Sequence, residues 1–175
     1  MKKLVGLFAS AVLLSSASMS ANSFEFDDKK LYAGGGLGYN SLDSSGFDSA
    51  IGFQGFAGYH FDDDVKIADK VGLAAEIGYT SSGDFKFSDC SDNIFVSCSL
   101  LDSSANGLWA NAVFDYDVNA QISALGRVGL DLGDDDGLMF GFGGAYKIDE
   151  KLSARVEYVI RQNYSSLQAN VVYDF

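Results

Sequence analysis

Six ionisable residues stand out by their surroundings. Glu76, Asp115, Arg127, Lys147, Arg155 and Glu157 each sit within a stretch that is otherwise apolar or rich in glycine. Opposite charges in such company do one of two things. They pair in a dry interior, because an unpaired buried charge is expensive, or they line a water-filled passage and select ions. His60 is the sole histidine, and a histidine base needs a nucleophile within hydrogen-bond reach, which no local motif supplies. Cys90 and Cys98 are the only cysteines, with seven residues between them. They read as a local disulfide in an oxidising compartment; no histidine lies nearby to complete a metal ligand set. "GLDLGDDDGL" (129–138) has the acids of a calcium loop but lacks its twelfth-position Glu, so a solvated acidic turn is the competing reading. "GGGLG" (34–38) is no nucleotide loop, because no helical pattern follows it. No cofactor is expected.

The elements that carry these residues alternate with a period of two, which is strand geometry. Eight such segments occur: 31–39, 51–61, 71–79, 108–116, 122–130, 138–146, 152–160 and 167–175. One face of each is apolar and uncharged, as in Leu167, Ala169, Val171, Tyr173 and Phe175. The other face holds the six charges, Trp109, His60 and many glycines, including Gly52, Gly58, Gly72, Gly78, Gly129, Gly141 and Gly143. A soluble barrel would show Lys, Glu and Thr to water on that face. Small residues suit a crowded lumen instead. Segments of about 9–11 residues match a tilted membrane strand. The expected fold is all-β, an eight-stranded antiparallel up-and-down transmembrane β-barrel. Connections 117–120 and 148–151 are tight, whereas 40–50 and 80–107 are long and rich in Ser, Asp and Gly. Stretch 61–69 is longer than its counterparts. Aromatics recur on the apolar face just before the short-turn side, in "AGYHFDDD", "AVFDYDVN", "GGAYKIDE" and "VVYDF", as in an interfacial girdle.

The N-terminus supplies a compartment. Lys2 and Lys3 precede a short apolar run, Leu4 to Leu14, and the small residues of "SSASMSAN". That is a signal peptide over 1–20, with cleavage after Ser20 or Ala21 and a barrel domain over 21–175. The run is about half the roughly 20 residues of a spanning helix. Without Lys2 and Lys3, ten basic residues face 24 acidic ones, a net charge of −14. Nucleic acid, which needs phosphate contacts from Lys and Arg, is excluded as a partner. The 175 residues contain no proline, which fits a chain nearly all in paired strands.

With "YAGGGLGY" in the first segment, "FAGYHF" in the second, "LSARVEY" in the seventh and a terminal "VVYDF", the sequence resembles the small OmpA-type outer-membrane β-barrels of Gram-negative bacteria. The resemblance covers the mature chain and specifies a family, not an activity. It implies an outer-membrane location with both termini periplasmic, lipid and lipopolysaccharide as surroundings, and the barrel-assembly machinery as a partner. Tyr173 and Phe175 match the family's terminal assembly signal. It also makes cell-wall anchoring doubtful, because the sequence given stops at the eighth strand without the soluble domain of larger relatives. Some small outer-membrane barrels modify lipids with a histidine near the outer leaflet; the alternation puts His60 in the lumen at the opposite end. The expected function is non-enzymatic, a structural or interaction protein of adhesion type. Its loops 40–50 and 80–107 would meet host or surface ligands. Counting from the strand ends puts Glu76, Arg127 and Glu157 near mid-depth and Asp115 and Arg155 nearer the short-turn side, and the lumen would be filled by pairing of Arg127 and Arg155 with some of Glu76, Asp115 and Glu157. The alternative is a narrow porin-like channel for small solutes.

Overall fold

The computed structural model describes residues 27–43, 47–61, 71–86 and 103–175. A 3-10 turn, Asp28–Lys30, leads into β1 (Leu31–Leu42), β2 (Ala50–His60), β3 (Val71–Ser81) and β4 (Asn106–Asp117). β5 (Ile122–Asp131), β6 (Gly137–Lys147), β7 (Leu152–Ile160) and β8 (Tyr164–Asp174) follow. Each strand pairs antiparallel with the next, and β8 returns to β1 to close the barrel. The expected segments are present, several with longer bounds: β1 runs on to Leu42, and β8 begins at Tyr164, three residues before the alternation starts; β7 keeps its expected bounds and β2 shifts by one residue. The expected signal peptide, 1–20, lies outside the described residues, as do Cys90 and Cys98.

Alternation decides which face each side chain takes. Leu37, Ile51, Phe142 and Val171 point outward and are more than half exposed. A soluble protein does not spend so continuous an apolar surface on water, whereas lipid takes it up without penalty. The lumen side is buried and holds Tyr32, Phe56, Trp109, Val113 and Met139 beside the polar residues. Closure leaves no unpaired edge, so the strand amides and carbonyls are satisfied within the sheet.

Leu31, His60, Val71 and Asp174 lie at one end of the barrel, the terminal end, together with the turns 118–121 and 148–151. The other end carries Leu42, Ala50, Ser81 and Asn106, together with the turns 132–136 and 161–163. Loop length therefore separates the ends less cleanly than the sequence suggests: 132–136 and 161–163 are short although they share the end of the longest loop. Compact turn chemistry accounts for this. Asp134 accepts the amide of Asn106 at 3.0 Å, and Asp135 accepts the backbone and side-chain N–H groups of Asn163. The acids of "GLDLGDDDGL" thus tie neighbouring turns together. At the same end Ala50, Phe85 and Tyr164 form a small apolar cap, joined by Leu42, Phe47 and Ala105.

Candidate functional site: the charged lumen

Four of the six expected lumen charges converge at mid-height. Arg127 on β5 and Glu157 on β7 form a bidentate pair, Nε to Oε1 at 2.9 Å and an Nη to Oε2 at 2.7 Å. Arg155 on β7 crosses the interior to Glu76 on β3, Nη to Oε1 at 2.6 Å. The two pairs meet where Arg127 lies 3.4 Å from the second oxygen of Glu76. All four residues are nearly sealed from solvent, Glu157 at 1% and Glu76 at 3% exposed. Their charges sum to zero, and the Arg127 fork satisfies Glu157, whereas the second oxygen of Glu76 has charge contact with Arg127 but no hydrogen bond. Strand ends place Arg155 nearer the terminal end than Glu76; its long side chain spans the difference.

The remaining two charges do not join. Asp115 is half-buried and Lys147 exposed, and both line a cavity of ≈ 200 Å³ below the cluster. His60 and Asp174 line it too, 3.3 Å apart, with the His60 ring against Tyr32. His60 thus lies in the lumen at the terminal end, as the alternation places it.

Several partners in the cluster escape sequence reasoning. Tyr32 donates its hydroxyl to Glu76 at 2.8 Å, and its ring lies under the Arg155 guanidinium at 5.1 Å. Trp109, expected as lumen packing, is fully buried with Arg127 over its ring at 5.7 Å. Above them Gln54 donates to both Gln168 and Asn170 at 2.8 Å. Arg161, just past β7, pairs with Asp131 at the end of β5. Parity in "LYAGGG" marks Tyr32 as lumenal; which side chain it meets depends on the barrel's stagger, which no single strand contains.

The lumen glycines explain how so narrow a barrel holds these groups. Four large side chains have a glycine as a registered neighbour: Trp109 faces Gly78, Arg127 faces Gly141, Glu157 faces Gly143 and Tyr32 faces Gly58. A Cβ on Gly78 would stand 2.5 Å from the Trp109 ring, and one on Gly141 2.7 Å from the Arg127 stem. Bare β6 in particular lets Arg127 of β5 reach Glu157 of β7 across it.

A family model described as the outer membrane protein beta-barrel domain matches residues 7–175. The chain belongs to that family. No individual curated protein matches it. Among solved structures it is similar to Ail, the attachment invasion locus protein of Yersinia pestis, at 12% identity. That match has a TM-score of 0.55 and covers 83% of this chain and 97% of Ail. Ail in complex with the heparin analogue sucrose octasulfate gives 13% identity, a TM-score of 0.52 and coverages of 83% and 96%. A de novo designed transmembrane β-barrel gives 18% identity, a TM-score of 0.52 and coverages of 86% and 98%. At these identities the likeness is one of fold.

Proposed function

We propose that this outer-membrane barrel is a surface-exposed structural or interaction protein, anchored with both termini in the periplasm and closed to solutes by its lumen. The sealed cluster of Glu76, Arg127, Arg155 and Glu157 carries the reading, because four paired charges and their aromatic neighbours fill the cross-section at mid-height. The long-loop end would then face outward. Its described turns expose acids such as Asp134 and Asp136, so a cationic surface partner suits it better than the sulfated ligand bound by Ail. Assembly through the terminal aromatics draws support from Phe175, whose amide donates to Leu31 at 3.0 Å and whose ring packs against Tyr173 on the lipid face. The non-catalytic reading draws support from His60, whose ring bonds to Asp174 and lies against Tyr32 with no nucleophile hydrogen-bonded to it among the described residues.

One observation favours the channel reading instead: the open cavity rises from the terminal end as far as Arg155, so little more than the charge cluster and the amide layer bars the way. Single-channel conductance of the refolded barrel in a planar bilayer separates the two. A filled lumen gives a silent wild type and a leak in Arg127→Ala. Steady wild-type conductance, with only ion preference altered in Arg127→Ala, would establish the channel.

A further inference from the structure

β1 is the barest strand on the lumen side. Between Tyr32 and Asn40 its inward positions are Gly34, Gly36 and Gly38. Its two neighbours, β2 and β8, are far apart in the chain and share no backbone pairing. Their side chains nevertheless meet across it. Gly36 is registered between Gln54 on one side and Asn170 on the other, and these two amides bond over it, Nε2 to Oδ1 at 2.8 Å. The same Gln54 nitrogen donates to Gln168, registered beside Gly38. One step lower, Phe56 and Val172 flank Gly34, and the Phe56 ring occupies the space a side chain there would need. At the terminal end His60 of β2 reaches Asp174 of β8.

We infer that "GGGLG" serves as the bed of a latch: β1 gives up its lumen side chains so that β2 and β8 lock to each other over it, holding closed the seam between the first and last strands. The amides are 3–5% exposed, so water competes little for them. The latch also reaches the charge cluster, since Asn170 donates to Glu157 at 3.5 Å. A Cβ at Gly36 would lie 2.5 Å from the Asn170 amide oxygen and closer still to the Ala169 carbonyl, so glycine is required there by space and not by backbone freedom.

Residue-resolved hydrogen exchange of the refolded full chain tests this. Gln54→Met keeps the volume and removes the amide. Amides of β1 and β8 should then exchange about 10-fold faster while those of β4 and β5 keep their protection, as a local opening requires. Gly38→Ala provides a second route, because the atoms nearest its Cβ would be the side-chain ends of Ser166 and Asn40 and the Gln168 stem, at 2.8, 3.2 and 3.6 Å. It should loosen the same seam by pushing the Ser166 side chain of β8 away from β1, next to Gln168. Gly55→Ala, outward on β2 with nothing within 4 Å, serves as control. Faster exchange confined to the β1–β8 seam in either variant supports the latch. Unchanged protection, or an equal rise around the whole barrel, overturns it; should Gln54→Met fail to fold, Gly38→Ala alone decides.

Discussion

At the scale of single residues, the lumen depends on charges that stabilise only as a set. Arg127 has its fork filled by Glu157 and touches Glu76, while Glu76 is also held by Arg155 and Tyr32. Arg127→Met strands Glu157 in a dry site and should destabilise the barrel by about 3–5 kcal/mol in urea unfolding. Adding Glu157→Leu removes the stranded charge, and Glu76 keeps its other two partners, so the double variant should recover most of the loss. A double variant as unstable as the single one would mean that the pair is solvated. Glycine is the complementary residue. Gly78→Ala pushes a methyl group toward the buried Trp109 ring and the Gly55 carbonyl and should cost about 1–3 kcal/mol. Gly126→Ala, outward and open, should cost nothing measurable by the same unfolding curve. The sequence pattern placed all six charges on the inward face, because parity alone decides that. Counting from the strand ends put Asp115 and Arg155 at one depth, nearer the short-turn side, with both open to pairing; only Arg155 joins the cluster, because its side chain reaches well beyond its own level while Asp115 stays at the cavity.

At the scale of strands, lipid replaces water as the outer solvent, and the cost of an outward charge depends on depth. Val156 lies at the middle of β7 and is exposed, whereas Tyr173 lies near the end of β8. Val156→Lys should lower stability by about 2–4 kcal/mol and Tyr173→Lys by about 0–1 kcal/mol, read from unfolding in lipid vesicles. Equal costs would place the apolar belt at the wrong height. The end of β8 makes a sharper comparison: Phe175 faces outward, while Asp174 turns into the lumen toward His60. A charge at Phe175 should impair membrane yield far more than Asp174→Asn; equal yields would mean that the faces are exchanged, as a one-residue slip in register would do. Strand number, order and faces were legible because period two survives in every segment. Strand ends were not: β8 starts at Tyr164, which keeps the inward parity and joins the apolar cap, but the outward position beside it is the polar Ser165, so the apolar series read from Leu167 onward does not extend to it. Loop lengths misled in the same way, because aspartates that look merely solvated hold 132–136 in a compact turn.

At the scale of the whole molecule, the lumen cluster is neutral, so the mature chain's expected charge of −14 is carried outside it. The described turns of the long-loop end contribute Asp43, Asp84, Asp134 and Asp136 with little basic compensation. In an outer leaflet of lipopolysaccharide these carboxylates would stand beside lipid phosphates of like charge. Asp43, Asp84, Asp134 and Asp136 are spread over three turns, so divalent ions should act on them by diffuse bridging and screening. Repulsion of this kind has a range of about 8 Å at physiological salt and about 30 Å at 0.01 M. Refolding into anionic vesicles should therefore be slow at low salt and recover on adding magnesium, whereas refolding into neutral vesicles should respond to neither. Asp134→Asn would disturb the bond to Asn106, so the cleaner probe is Asp136→Asn, whose side chain caps no neighbouring turn among the described residues. Neutralising it should shrink the salt dependence and leave the folded yield in neutral lipid unchanged. Folding monitored by gel mobility gives both quantities. A magnesium response equal in neutral and anionic vesicles would point to a discrete cation site and overturn the diffuse picture.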